Sequence, residues 1–242
     1  MRGNPPPAND AAAPDSPGTA PRAARGLALV RVGLAALVLA VYAPHLDGDF
    51  ISDDREYLRD DPRLTAPDGA RRLLTEAFAR GTVYRPVSTL TFWAQARAQG
   101  MAVAPLRAGN VVVHLAAVQM LLSLLLRLGS GLGAAGMAAA LFAVHPGVTE
   151  PVMFIAARND AMGALFIALA VWWALAAPTS PPARARRVAG AALAAALAMG
   201  CKEPFAVAPL LLALTPWITP DGGDVRARAR RSSRSRSAPA RW

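Results

Sequence analysis

Six apolar stretches, each opening or closing on a small polar cluster, constrain this chain more than any other feature. The first covers residues 27–46, and about 20 apolar residues are what a helix needs to cross a hydrocarbon core of ~30 Å. The others lie near residues 110–128, 132–144, 161–177, 188–200 and 205–218. Inside a bilayer every backbone N–H and C=O must be satisfied within the protein, so such stretches must be helices. The expected fold is therefore an all-α integral membrane protein, a polytopic bundle of about six transmembrane helices. Gly129-Ser130-Gly131 makes a tight turn between the second and third stretches. The first stretch is too long for a signal-peptide core and lacks a small-residue cleavage site, so it reads as a signal anchor.

Three regions follow from composition. Residues 1–25 are rich in Pro, Ala and Asp, lack the apolar content to pack, and are expected to be disordered. Residues 26–219 form the membrane domain, interrupted by a long polar loop at 47–109. Segments near 68–80 and 86–100 of that loop have mixed apolar and charged faces, as short helices lying on a membrane surface do. Residues 220–242 are an Arg/Ser-rich low-complexity tail.

Hydrophobic residues make up 54% of the chain, while its net charge is +10. That charge is not a nucleic-acid footprint. Seven arginines from Arg226 to Arg241 supply most of it, leaving the body near +3 (10 − 7). Membrane lipids, not nucleic acid, are the expected surroundings. Cys201 is the only cysteine, so no intrachain disulfide can form. Arg22 and Arg25, Arg127, the group Arg184, Arg186 and Arg187, and the tail arginines all fall on one side if the stretches alternate. Short arginine-bearing segments stay in the cytoplasm, which puts both termini there and the loop 47–109 outside.

Alternation then gathers the polar clusters at the outer end. They are Asp53-Asp54, His145-Pro146 with Glu150, Arg158 with Asp160, and Cys201-Lys202-Glu203. Each has a plain reading. Asp53-Asp54 can be a solvated loop, His145 an interfacial helix end, Arg158 and Asp160 a self-satisfying pair, and Lys202-Glu203 a neutral helix terminus. Read functionally, adjacent residues of an extended segment point in opposite directions, so one aspartate can serve as a general base while the other binds elsewhere. A guanidinium such as Arg158 matches phosphate oxygens bidentately, and Lys202 can hold a phosphate as a point charge. Asn110 and His114 share one helix face and read best as helix–helix hydrogen-bond partners. Trp93, Trp172, Trp173 and Trp217 suit anchoring at a membrane interface.

The ordered set of motifs resembles a known family. It comprises Gly48-Asp49-Phe50-Ile51-Ser52-Asp53-Asp54-Arg55, Tyr84-Arg85-Pro86-Val87, Asn110 with His114, Leu141-Phe142-Ala143-Val144-His145-Pro146 with Thr149-Glu150, Ala157-Arg158-Asn159-Asp160 and Cys201-Lys202-Glu203. Over residues 27–215 this is similar to the membrane half of bacterial tetratricopeptide-repeat glycosyltransferases, relatives of the transmembrane O-mannosyltransferases and protein mannosyltransferases of the GT-C fold. The resemblance implies a polyprenyl- or dolichyl-phosphate-linked sugar donor and a protein hydroxyl or glycan acceptor on the outer side of a bacterial inner membrane. It implies Asp53 and Asp54 as the catalytic acidic pair, with Asp53 the base. It also implies that Arg85, His145, Glu150, Arg158, Asp160, Lys202 and Glu203 meet the lipid phosphate and sugar. Where such enzymes use a divalent cation (Mg or Mn), Asp54 is the ligand expected to hold it.

Two departures stand out. Relatives often carry a second histidine three residues after the first, where this chain has Val148. Relatives also continue into more helices and a repeat domain, whereas residues 221–242 read like a frameshifted or truncated end, which would make the chain an inactive fragment. Two other classes compete. A transporter would place ionisable groups at mid-membrane and show paired repeats, and neither pattern is visible. A non-catalytic membrane assembly protein would fit the tail but not the intact motif set.

Overall fold

A computed structural model describes residues 19–77, 83–176 and 180–218, with side chains from 22 to 215 within those ranges. The expected disordered tail up to residue 18, the Arg/Ser-rich tail and the Trp217 side chain lie outside them. Among the described residues the structure is helical and contains no strand.

The first apolar stretch forms α1 (Thr19–Tyr42). It begins inside the region expected to be disordered, because Ala20, Ala23 and Ala24 extend the apolar run with strong helix formers. In the polar loop, α2 (Gly69–Thr75) and α3 (Pro86–Gln99) take the two expected helical positions. Pro86 sits at the first turn of α3, where its missing N–H costs nothing. Gly100 ends the helix at φ +78, which a side chain would strain.

The second stretch is α4 (Val103–Arg127), which starts earlier than expected and draws residues 103–109 out of the loop. At its far end the N–H of Ser130 bonds to Leu125 O at 3.0 Å and that of Gly129 to Leu126 O at 3.1 Å, with Gly129 at φ +90. This is a Schellman closure, and it turns the chain directly into α5 (Leu132–Val144). After Pro146 come α6 (Thr149–Met153), α7 (Arg158–Ala174), α8 (Pro181–Met199) and α9 (Ala208–Ile218).

Among the described residues two helices, Arg22–His45 and Val103–Arg127, are long and apolar enough to cross a membrane. A third joins them if Leu132–Val144 and Pro146–Met153, bent by 60°, count as one span. The remaining apolar stretches fall short for physical reasons. α7 has 17 residues and α9 has 11, while the first turns of α8 carry Arg184, Arg186 and Arg187.

Packing follows small residues at four-residue spacing. Ala135, Ala139 and Ala143 of α5 face Leu34, Val38 and Tyr42 of α1 and Val111, Val118 and Leu122 of α4. Without side-chain bulk the backbones approach closely, the usual basis of helix association in lipid. A Cβ at Gly136 would stand 3.2 Å from Val30. α8 presents Ala191, Ala194, Ala195 and Ala198 as its buried row, and the Trp173 ring of α7 lies over Gly190. Trp173 thus packs between helices, and Trp172 stacks under the Arg127 guanidinium at 4.3 Å.

Neighbouring spans run in alternate directions. Midway along α1, Arg31 Nη2 donates to Ser123 Oγ at 3.1 Å, toward the end of α4. At the end of α1 Tyr42 meets His114 edge-on at 5.4 Å. Val87 at the start of α3 donates to Gly200 O at the end of α8. The polar clusters are therefore carried to one end of the bundle.

The alanine row makes a specific demand. Ala139→Leu should destabilise the α1–α5–α4 packing by about 1–3 kcal/mol through overpacking, lowering the melting temperature in detergent. Met137→Ala, at an α5 residue that is 64% exposed, should leave that temperature nearly unchanged.

Candidate functional site

Asp53 and Asp54 face different surroundings, but they lie in a helical turn, with Asp54 at φ −58 and ψ −32, and not in the extended segment expected from sequence. Asp54 is fully buried. Its Oδ1 accepts the N–H of Ala156 at 2.7 Å and its Oδ2 that of Ile155 at 3.3 Å. Asp53 is exposed and lines a cavity of about 320 Å³. Ser52, just before it, holds φ +47, a left-handed conformation unusual for a residue with a side chain. Strain of this kind costs about 1–3 kcal/mol and collects at functional positions.

The cavity lies between the loop after α1, the α2–α3 region, α6, and the starts of α7 and of the segment after α8. Its charged groups are mostly paired. Lys202 Nζ donates to both oxygens of Asp160, at 2.8 and 2.7 Å. Arg85 donates through Nε and Nη2 to Glu203, at 3.1 and 2.9 Å. This guanidinium holds the Glu203 carboxyl below the usual glutamate range. Buried Arg63 grips Asp61 with both Nε and Nη2 and reaches Glu76 O through Nη1 at 2.9 Å. Two carboxylates on the cavity, Asp53 and Glu150, make no ion pair among the described residues. Lys202 has three N–H donors and spends two on Asp160, and Arg85 keeps its Nη1 free of Glu203.

Several sequence expectations change here. Arg158 does not line the cavity. It is 2% exposed, and its guanidinium is consumed by Asn110 Oδ1 (2.6 Å), Thr91 Oγ1 (3.2 Å), Gln95 Oε1 (2.8 Å) and Leu106 O (2.7 Å). It also lies 4.1 Å over the Phe92 ring. Arg158 thus locks α7 to α3 and α4, and it neither pairs with Asp160 nor offers its fork to a phosphate. His145 is exposed outside the cavity, and its Nδ1 accepts the N–H of Gly147 at 3.0 Å. Glu203 acts on the cavity only through Arg85. Trp93 packs in a second apolar cluster with Leu64, Leu73 and Phe92 instead of anchoring an interface.

A divalent cation at Asp54 does not fit this arrangement. Both of its oxygens are taken by N–H donors, and among the described residues no group of three or more His, Cys, Asp or Glu could hold a metal. The helix-partner reading fits His114 against α5, while Asn110 holds both Arg158 of α7 and the loop before α7. Asn110 Nδ2 donates to Phe154 O and Ile155 O, and His114 Nε2 lies 3.0 Å from Ala143 O. Cys201 is buried, which pushes its thiol up to about 12. Sequence reasoning passed over Tyr57, Asn159 and Glu76, which also face the cavity, and Arg107 beneath it. The one available signal was an arginine inside the apolar run that opens α4.

One comparison with known proteins bears on this geometry. The chain is 28% identical over 144 residues to a protein O-mannosyl-transferase of Caenorhabditis elegans, covering 55% of this chain and 21% of that protein. The chain thus spans about a fifth of the length of that relative, and the match supports a distant mannosyltransferase-like relationship. No family model matches the sequence, and no solved structure matches it.

The two buried charges should behave differently from the cavity carboxylate. Asp54→Asn leaves an amide NH₂ facing a backbone N–H, and Arg158→Lys cannot reach four acceptors. Each should cost about 1–3 kcal/mol through unmet buried polar groups, seen as a lower melting temperature in detergent. Asp53→Asn should leave that temperature within experimental error.

Proposed function

We propose that this chain is membrane-embedded glycosyltransferase sequence of the GT-C type, with about six membrane helices and its cavity on the outer side of a bacterial inner membrane. It moves a sugar from a polyprenyl-phosphate donor to a protein hydroxyl or glycan acceptor. The observation that carries this reading is Asp53, a carboxylate without an ion-pair partner among the described residues. It stands on a strained turn in a cavity that also presents Lys202 and Arg85. The likeness to a protein O-mannosyl-transferase supports the same chemistry.

In this reading the acceptor oxygen attacks the anomeric carbon and its proton passes to the Asp53 carboxylate. The new C–O bond forms as the bond from the anomeric carbon to the phosphate oxygen breaks, and the lipid phosphate leaves with the electron pair. Lys202 and Arg85 offset the charge that develops on that phosphate, each through a donor not spent on its carboxylate. Glu150 and Asn159 offer hydrogen-bond partners for sugar hydroxyls. Asp54 serves the reaction by fixing the turn, not by touching substrate.

Orientation is tested by labelling. Cysteines introduced at Thr65 and Ser232 should react with an impermeant thiol reagent in intact cells at 65 and not at 232, and the reverse pattern would overturn the topology. Cys201 contributes little background because its thiol is buried.

A positioned general base contributes about 10²–10⁴-fold. Asp53→Asn should therefore reduce transfer from radiolabelled polyprenyl-phosphate sugar in membranes by about that factor while the protein still inserts. Undiminished transfer by this variant would remove the main support for the enzyme reading.

A further inference from the structure

Arg107 lies in the second turn of α4, 6% exposed, and no carboxylate meets it among the described residues. Backbone carbonyls solvate its charge instead. Nε donates to Met153 O at 3.1 Å, Nη1 to Leu46 O at 3.4 Å and to Asp47 O, and Nη2 to Asp49 O at 3.2 Å. These carbonyls belong to two segments that are distant in sequence. Residues 46–49 lead straight into the turn that bears Asp53. Met153 ends α6, whose first turn bears Glu150.

The guanidinium is therefore a bridge between the backbones that carry the two unpaired cavity carboxylates. A planar fork with five fixed donors sets angle as well as distance. The loop is shaped to receive it. Gly48 holds φ +133, and a Cβ there would stand 2.9 Å from Arg107 Nη1. Side chains rarely adopt this conformation, and glycine allows the backbone to close onto the charge.

We infer that Arg107 is a positioning residue, holding the Asp53 turn and the Glu150 helix at one fixed separation across the cavity. Its effect on turnover rests on the glycosyl-transfer reading, whereas the bridge itself does not. A lysine keeps the charge but presents three donors from a single point, and it cannot span both segments.

The test uses the full chain in lipid nanodiscs. Cysteines replace the exposed Ile51 and Thr149 in a Cys201→Ala background and carry nitroxide labels for a pulsed electron-spin distance measurement. The parent protein should give one narrow distance. Arg107→Lys should broaden or shift it, whereas Asp53→Asn should not. In the transfer assay Arg107→Lys should lose kcat by up to about 10²-fold, the scale for a misplaced reacting group, with KM for the donor little changed.

A folded Arg107→Lys protein with an unaltered distance would overturn the inference, and so would a broadened distance with undiminished kcat. If Arg107→Lys does not accumulate, Gly48→Ala disturbs the same bridge from the loop side and is read by the same distance. A broadened distance in a protein whose parent form transfers no sugar would uphold the bridge and sink the glycosyl-transfer reading instead.

Discussion

The polar end of this protein depends on a carboxylate that meets no cation among the described residues. Asp54 is fully buried and holds the N–H groups of Ile155 and Ala156. An ion removed from water costs several kcal/mol unless its surroundings replace the lost solvation, and two aligned N–H groups do so here. The same short stretch is held by its carbonyls as well, since Asn110 donates to Phe154 O and Ile155 O. Residues 154–156 are thus gripped by α4 and by the loop after α1. Because neighbouring side chains diverge, fixing Asp54 inward fixes Asp53 outward.

Much of this was legible from residue patterns, and what was not had a common cause. Apolar runs marked the principal helices, and Pro86, Gly129 and Pro146 marked their breaks. The convergence of Asp53, Glu150, Asp160 and Lys202 on one cavity followed from alternation alone. Individual side-chain directions did not. Arg158 and Asp160 are two residues apart, so a helix turns them about 200° from each other. One enters the interior and the other the cavity, yet sequence shows only two charges close together. The role of Arg107 was hidden for a similar reason: its place in an apolar run marked it, but its partners are backbone carbonyls, which every residue has. Among the described residues two helices, or three with the bent pair, have the length and composition of a span: α7 and α9 have 17 and 11 residues, and α8 opens on arginines and buries a row of alanines.

The bundle uses arginine in two different ways. At the polar end Arg107 and Arg158 are buried and satisfied by neutral oxygens, so their charge stays uncompensated by any carboxylate among the described residues. Away from that end Arg127 lies over an indole ring and Arg31 reaches a serine. The first use fixes backbone geometry under the cavity. The second ties neighbouring helices together through side chains.

The Asp54 anchor also sets an order of events during synthesis. Its partners lie 101 and 102 residues further along the chain. When α1 enters the bilayer, neither N–H group has yet been made. Until α4 has inserted and the stretch before α7 has left the ribosome, Asp54 must remain hydrated and the turn beside it unshaped. The first polar cluster to be translated is therefore among the last to acquire its final form, and a chain stopped before residue 155 has the aspartates without the geometry that separates their roles.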